Sequence, residues 1–262
     1  MATTLTTAGD GTATARHAAR IEHVSKSFPG PAGPQPVLDD ISLDVAPGEF
    51  VTLLGASGCG KSTLLNLVAG LDRPTTGTIT TDGRPALMFQ EHALLPWLSA
   101  GKNIELALRL RGVAPPERRA RARELLALVR LEGAHGKRVH ELSGGMRQRV
   151  ALARALAQQS SLLLMDEPFA ALDAITRDVL HEELTRIWRE THLSVLFVTH
   201  NVREAVRLAQ RVILLSSRPG RIARQWNVDI AQPRRIEDTA VAQLSAEITG
   251  ELREEIRRHG RP

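Results

Sequence analysis

The sequence predicts an α/β fold: a core of parallel strands joined by crossover helices, with an antiparallel β subdomain at its N-terminal end and an α-helical insert. Three observations predict it. A glycine-rich loop, Gly55-Ala56-Ser57-Gly58-Cys59-Gly60-Lys61-Ser62, separates the apolar run Val51-Thr52-Leu53-Leu54 from the helix-like run at 63–69. From 162 to 215, apolar runs of strand length alternate with helical ones, the pattern of parallel strands with crossover connections. The length, 262 residues, suits one such core carrying an inserted subdomain.

Residues 1–19, rich in Thr, Ala and Gly, lack the apolar stretch of a secretory signal and read as a disordered arm. Paired strands are expected at 19–28 and 37–45, around a Pro/Gly-rich loop at 29–36. Pro47-Gly48 turns the chain into the strand before the glycine loop. Thr78-Ile79-Thr80-Thr81, the turn Asp82-Gly83 and Ala86-Leu87-Met88-Phe89 carry a hairpin signal. Helical spacing takes over at 100–111 and 116–131, and a further helix follows the turn Leu142-Ser143-Gly144-Gly145 through 158. Strands at 162–165, 195–198 and 212–215 then alternate with helices at 174–191 and 201–210, leaving a segment at 226–233 and a helix around 246–258. The expected organisation is an arm over 1–19, a catalytic domain over 20–225 with its helical insert at about 91–158, and a short extension with a helix over 226–262.

Composition bounds the function. One cysteine, Cys59, excludes a disulfide framework and fits a reducing compartment. Nine histidines are scattered without the paired spacing of a zinc site. No apolar run approaches the ~18 residues that span a bilayer. A net charge of +5 permits contact with nucleic acid or an anionic leaflet and selects neither. The run Arg118-Arg119-Ala120-Arg121-Ala122-Arg123 reads as the exposed first turn of an amphipathic helix, and the arginines at 218, 221, 224, 234 and 235 as solvated.

The glycine loop matches G-x-x-x-x-G-K-[ST] in the required strand–loop–helix context. In this motif, backbone N–H groups wrap phosphates, Lys61 reaches the β/γ-phosphates and Ser62 takes Mg²⁺. Leu162-Leu163-Leu164-Met165-Asp166-Glu167 is an apolar strand ending in two acids. Because side chains alternate along a strand, Asp166 can serve the Mg²⁺ while Glu167 faces a water that attacks the γ-phosphate. Val195-Leu196-Phe197-Val198-Thr199-His200 repeats that form, setting His200 to bridge the γ-phosphate and the water. Gln90 also closes an apolar strand, its amide able to sense either Mg²⁺ or the water. Ser143 is an N-cap candidate, and Gly144 and Gly145 allow an anion to come close to the helix start.

With these motifs in this order, the chain resembles the nucleotide-binding subunits of ATP-binding-cassette (ABC) transporters over roughly residues 20–225. The resemblance implies a P-loop NTPase core of RecA-like type. Leu142-Ser143-Gly144-Gly145-Met146-Arg147-Gln148-Arg149 is similar to the family's signature sequence, Gln90 to its Q-loop, Ala171-Leu172-Asp173 to its D-loop and His200 to its switch histidine. By resemblance, ATP is held by Gly55, Ser57, Gly58, Cys59, Gly60, Lys61, Ser62 and Thr63 of one copy and by Ser143, Gly144, Gly145 and Asp173 of a second copy paired head to tail. The Mg²⁺ falls to Ser62, Gln90 and Asp166, and catalysis to Glu167, His200 and Gln90. The family's adenine platform is usually aromatic. This chain has no tyrosine, and Phe28 stands in the matching place.

Finer features resemble the nitrate, sulfonate and taurine importers: Leu94-Leu95-Pro96-Trp97, the stretch from Glu167-Pro168-Phe169 to Ile175-Thr176-Arg177, and Leu214-Leu215-Ser216-Ser217-Arg218-Pro219-Gly220. Ala170 stands where that group commonly has glycine. The resemblance implies an ATPase at the cytoplasmic face of the cell membrane, homodimeric, docked through Trp97 to integral membrane permease subunits. It also implies an indirect link to an extracytoplasmic solute-binding protein and no nucleic-acid partner. Aliphatic sulfonates are the expected solute, with taurine or nitrate as alternatives. An ABC ATPase of nucleic-acid or cofactor-assembly type is the remaining reading.

Overall fold

The computed structural model describes residues 17–31 and 33–259. Most of the expected arm therefore lies outside the described residues. At its end, however, Ala18 and Ala19 are buried, and Ala19 pairs with both Val45 and Thr81. Strands β1 (Ala19–Phe28), β2 (Gln35–Val45) and β4 (Thr76–Thr81) form an antiparallel sheet in the order β2-β1-β4. The second sheet holds β3 (Phe50–Leu54), β5 (Ala86–Met88), β6 (Leu162–Asp166), β7 (Ser194–Thr199), β8 (Arg211–Leu215) and β9 (Ile222–Asn227) in the order β5-β6-β7-β3-β8-β9. All its neighbours pair in parallel except β8 and β9. The helices are α1 (Lys61–Val68), α2 (Ala100–Leu110), α3 (Pro115–Leu128), α4 (Gly144–Leu156), α5 (Ala174–Thr191), α6 (Val202–Leu208) and α7 (Thr239–His259).

The central strands are buried on both faces, as parallel strands covered by crossover helices must be. Alternation divides their side chains between two cores. Val51, Leu53, Leu164, Leu196 and Val198 pack with α1 and the antiparallel sheet. Phe50, Leu54, Met165, Val195 and Phe197 pack with the helices of the other face. Phe50 packs at a tilt against Phe197 and meets the edge of Trp188, both at 5.8 Å between ring centroids. The helical insert joins the same core through Ile104, Leu108, Ala122 and Leu126.

The hairpin expected across Asp82-Gly83 does not form. β4 pairs with β1, whereas β5 pairs in parallel with β6 in the other sheet. The turn instead carries the chain between sheets, fastened by Asp82 N–H to Ala18 O (3.0 Å) and by the Ser160 hydroxyl to Arg84 O (2.7 Å). Ala86 and Met88 are buried, and only the large sheet offers them a core. The boundary expected between 225 and 226 falls inside β9, an edge strand in which Trp226 alone is buried, so no apolar alternation marked it. α7 is longer than expected and buries Val241 and Ile248.

Arg234, read as solvated, is buried. Its guanidinium donates to Val206 O (2.8 Å) and Ala209 O (2.5 Å) at the end of α6 and to Val228 O (3.0 Å) and Ile230 O (2.8 Å) in the segment after β9. Burial pushes its pKa down to about 10, with Asp229 opposing. Arg234→Ala leaves those carbonyls unpaired and is expected to destabilise the fold by about 3 kcal/mol, read as a lower urea midpoint.

Candidate functional site

The parallel order places the carboxyl ends of β3, β7, β6 and β5 side by side, the edge at which α/β sheets bind ligands. The glycine loop leaves β3 there. A Cβ at Gly55 would lie 2.6 Å from Cys59 Sγ and 3.0 Å from Leu215 O, so only glycine fits. Gly60, at φ +99°, starts α1 with no side-chain cap, leaving the helix's first N–H groups for an anion. Lys61 is buried and bends back on its own loop, Nζ donating to Gly55 O (2.8 Å) and Ala56 O (2.9 Å). Cys59 is also buried. Its thiol pKa is raised by burial, against the pull of Lys61, whose Nζ lies 3.8 Å from the sulfur. Ser57, Gly58 and Ser62 are exposed, and Thr63 is half-buried.

Asp166 ends β6 and hydrogen-bonds the Ser62 hydroxyl. Burial raises its pKa and the neighbouring Glu167 adds to the rise, while Ser62 and Lys61 oppose it. Glu167 adopts φ +42°, a left-handed conformation that is costly for a residue with a Cβ, and its N–H is held by Val198 O at 3.0 Å. This bend directs its carboxylate to His200, whose Nδ1 lies 2.9 Å from Glu167 Oε2. The His200 ring is 62% exposed. Glu167, His200, Phe169, Arg177 and Thr199 line a small cavity beside the loop. Gln90 is exposed, two residues past the end of β5 on the same edge.

Ser143 and Asp173 form a separate constellation. Ser143 Oγ caps α4 by accepting from Met146 N–H (3.3 Å), and Asp173 Oδ1 caps α5 by accepting from Thr176 N–H (2.9 Å). The two helix starts pack together. A Cβ on Gly145 would lie 2.6 Å from Thr176 Cγ2, and one on Gly144 would lie 3.7 Å from Leu172 Cδ2. Among the described residues, neither Ser143 nor Asp173 hydrogen-bonds any residue of the 55–63 loop. Phe28, 40% exposed, ends β1 with Lys26 Nζ 4.7 Å from its ring centroid, and that ammonium is anchored by Asp72 and Arg73 O.

Sequence reasoning passed over Gln148, whose buried amide donates to Pro168 O and ties α4 to the loop after Glu167. It also passed over Arg177, which holds Phe169 O (3.3 Å) and Leu172 O (2.6 Å). Their place within the quoted motif stretches was the available signal. Glu204 and His181, beneath Thr199, carried none.

The Ser62 hydroxyl and the Asp166 carboxylate are two hard oxygen donors in contact. That set fits Mg²⁺, which takes one or two protein oxygens and completes its shell with water and phosphate. With a nucleophilic water at Glu167, the edge can carry out phosphoryl hydrolysis.

A profile of the ABC transporter family matches residues 38–170, a span that includes the loop, Ser143, Asp166 and Glu167 and ends before Asp173 and His200. The chain is 52% identical over 201 residues to the taurine import ATP-binding protein of Mesorhizobium japonicum, covering 74% of this chain and 78% of that one. It is 47% identical over 229 residues to the corresponding protein of Chromobacterium violaceum, covering 84% and 87%. Among solved structures, a dimeric ATP-binding cassette in a post-hydrolysis state, bound to ADP and Pi, superposes with a TM-score of 0.73 at 32% identity, covering 81% of this chain and 100% of that one.

Glu167→Gln keeps the shape and removes the carboxylate charge, so turnover of ATP is expected to fall by about 10²–10⁴ while a fluorescent nucleotide still binds. Lys61→Ala is expected to abolish that binding. Hydrolysis by Glu167→Gln near the parent rate would overturn the assignment of the carboxylate.

Proposed function

The chain belongs to the ABC transporter family, whose ATP-binding subunits are ATPases, and from that premise we propose that it powers the import of a small sulfonate, taurine foremost. The observation that carries the mechanism is the division of the site between two faces. Lys61, Ser62, Asp166, Glu167 and His200 gather on one edge, whereas Ser143, Gly144 and Asp173 lie exposed on another. A second copy paired head to tail brings its Ser143 helix start to the first copy's phosphates, and the structural neighbours solved as dimers support pairing of two copies. Lys61 then exchanges its own loop carbonyls for phosphate oxygens. Mg²⁺, held by Ser62 and Asp166 with Gln90 nearby, supplies charge neutralisation at the phosphates. Glu167 takes the proton of the attacking water, and His200, held by Glu167, faces the γ-phosphate. Phe28 offers its exposed ring to the adenine. ATP binds the closed pair more tightly than the open one, and that difference drives the transporter.

Among the described residues, no helix is long and apolar enough to cross a membrane; in this reading, permease partners form the path for the solute. Trp97, 66% exposed, and Leu110, 79% exposed, supply the apolar anchors for them. A cavity of about 770 Å³ beside α2, lined by Leu95, Leu106, Leu110, Arg111 and Arg154, is the docking groove in this reading. The chain then works at the cytoplasmic face of the cell membrane. Aliphatic sulfonates were the expected solute. The names of the relatives favour taurine, itself an aminoalkyl sulfonate, within the same chemistry.

Deleting the gene is expected to abolish growth on taurine as sole sulfur source and to spare growth on sulfate. Normal growth on taurine, with loss on another sulfonate or on nitrate, would reassign the solute. Trp97→Glu is expected to reduce copurification with the permease severalfold while the isolated chain keeps its nucleotide affinity. Undiminished copurification would remove Trp97 from the docking surface.

A further inference from the structure

Beneath the reacting edge, the seam between α5 and α6 contains a buried polar chain that the reaction described above does not use. Glu204, 6% exposed, accepts at both carboxylate oxygens. The Thr199 hydroxyl donates to Oε2, and His181 Nε2–H donates to Oε1 at 2.6 Å. His181 is 3% exposed and rests against the edge of Phe169, ring centroids 5.3 Å apart. Its Nδ1 has no hydrogen-bond partner and faces Asp178 Oδ1 at 4.0 Å, and Asp178 is paired with Arg207 at 2.7 Å. At the other end, Thr199 Oγ1 accepts from Asn201 N–H (3.0 Å), and Asn201 Oδ1 caps α6 by accepting from Arg203 and Glu204 N–H. The residue between Thr199 and Asn201 is His200.

We propose that His181 and Glu204 are positioning residues for hydrolysis: through Thr199 they fix the turn that aims His200 at Glu167, and through α5 they tie that aim to the helix that begins at Asp173. The physical case rests on burial and connectivity. The His200 ring is 62% exposed, so little packing holds it, and its orientation depends on the backbone turn on either side. That turn is held by one hydroxyl, used as both donor and acceptor, and the hydroxyl is held by a carboxylate whose second oxygen is held by His181. In a site where a displacement of about 1 Å can cost 10²-fold in rate, slack anywhere along the chain reaches the Glu167–His200 contact. Phe169, in the loop that follows Glu167, packs on the same imidazole, so both members of the pair are referenced to His181.

The proposal rests on the reading of Glu167 and His200 given above, and steady-state ATPase kinetics of the purified full chain test the two separately. His181→Leu and Thr199→Val remove the two donors to Glu204 without adding charge. Each is expected to lower kcat by about 10- to 10²-fold at unchanged KM for ATP. His181→Gln, whose amide can donate to Glu204, is expected to restore most of kcat, which a loss of packing volume alone would not produce. Thr199→Val and His181→Gln carry the test should His181→Leu fail to fold. If the variants turn over within twofold of the parent while His200→Ala is inactive, the positioning role is overturned and the site stands. A matching loss in His181→Gln also overturns it. If His200→Ala itself hydrolyses at the parent rate, the reading of the site fails instead.

Discussion

The register of three parallel strands is the constraint on which the site depends. Leu54 lies opposite Thr199, and Asp166 lies opposite Val198, so the glycine loop, the two acids and His200 all leave the sheet at one level. Burial on both faces enforces that register. A slip of one residue would exchange the side chains of the two cores, sending Leu53 and Val198 to the face built for Leu54 and Phe197. Phe50, packed between Phe197 and Trp188, blocks such a slip at the other end of the strand.

Above that rigid edge, the chain holds features that are unfavourable locally. Glu167 bears a left-handed backbone, Lys61 is buried against loop carbonyls, and Asp166 is disfavoured as a carboxylate by burial. Each is tied to a strand end or to its neighbour, so the core stabilises what the loops alone would not. The same features leave room for exchange: Lys61 can trade carbonyl oxygens for phosphate oxygens, and Ser62 and Asp166 can trade their mutual bond for a cation.

The second constellation follows from helix capping. Ser143 and Asp173 each satisfy the start of a helix, and the glycines beside Ser143 let those two helix starts approach. The result is an exposed edge that the chain does not turn toward its own phosphate loop. The proposed pairing with a second copy rests on where the caps sit, not on any apolar patch. Gln148, reaching from α4 to Pro168, links this edge to the loop that follows Glu167.

The α/β class, the phosphate loop, the paired acids and the Ser143 cap were legible in the sequence, because each rests on residues close together in the chain: glycines where a Cβ would clash, an apolar run of strand length, a hydroxyl before a helix. Legibility failed where the partner is remote. The runs 78–81 and 86–89 looked like one hairpin, and only the presence of two cores sends the strands that contain them, β4 and β5, to separate sheets. β9 shows a single buried side chain, so its pairing with β8 left no pattern to read. Arg234 looked solvated until the end of α6 was placed around it. The contacts of Ser62 with Asp166, Glu167 with His200 and Glu204 with His181 likewise belong to the tertiary structure. They depend on β7 lying between β6 and β3 and on α5 packing over α6, and a strand's place in a sheet is set by long-range burial, which local spacing does not encode.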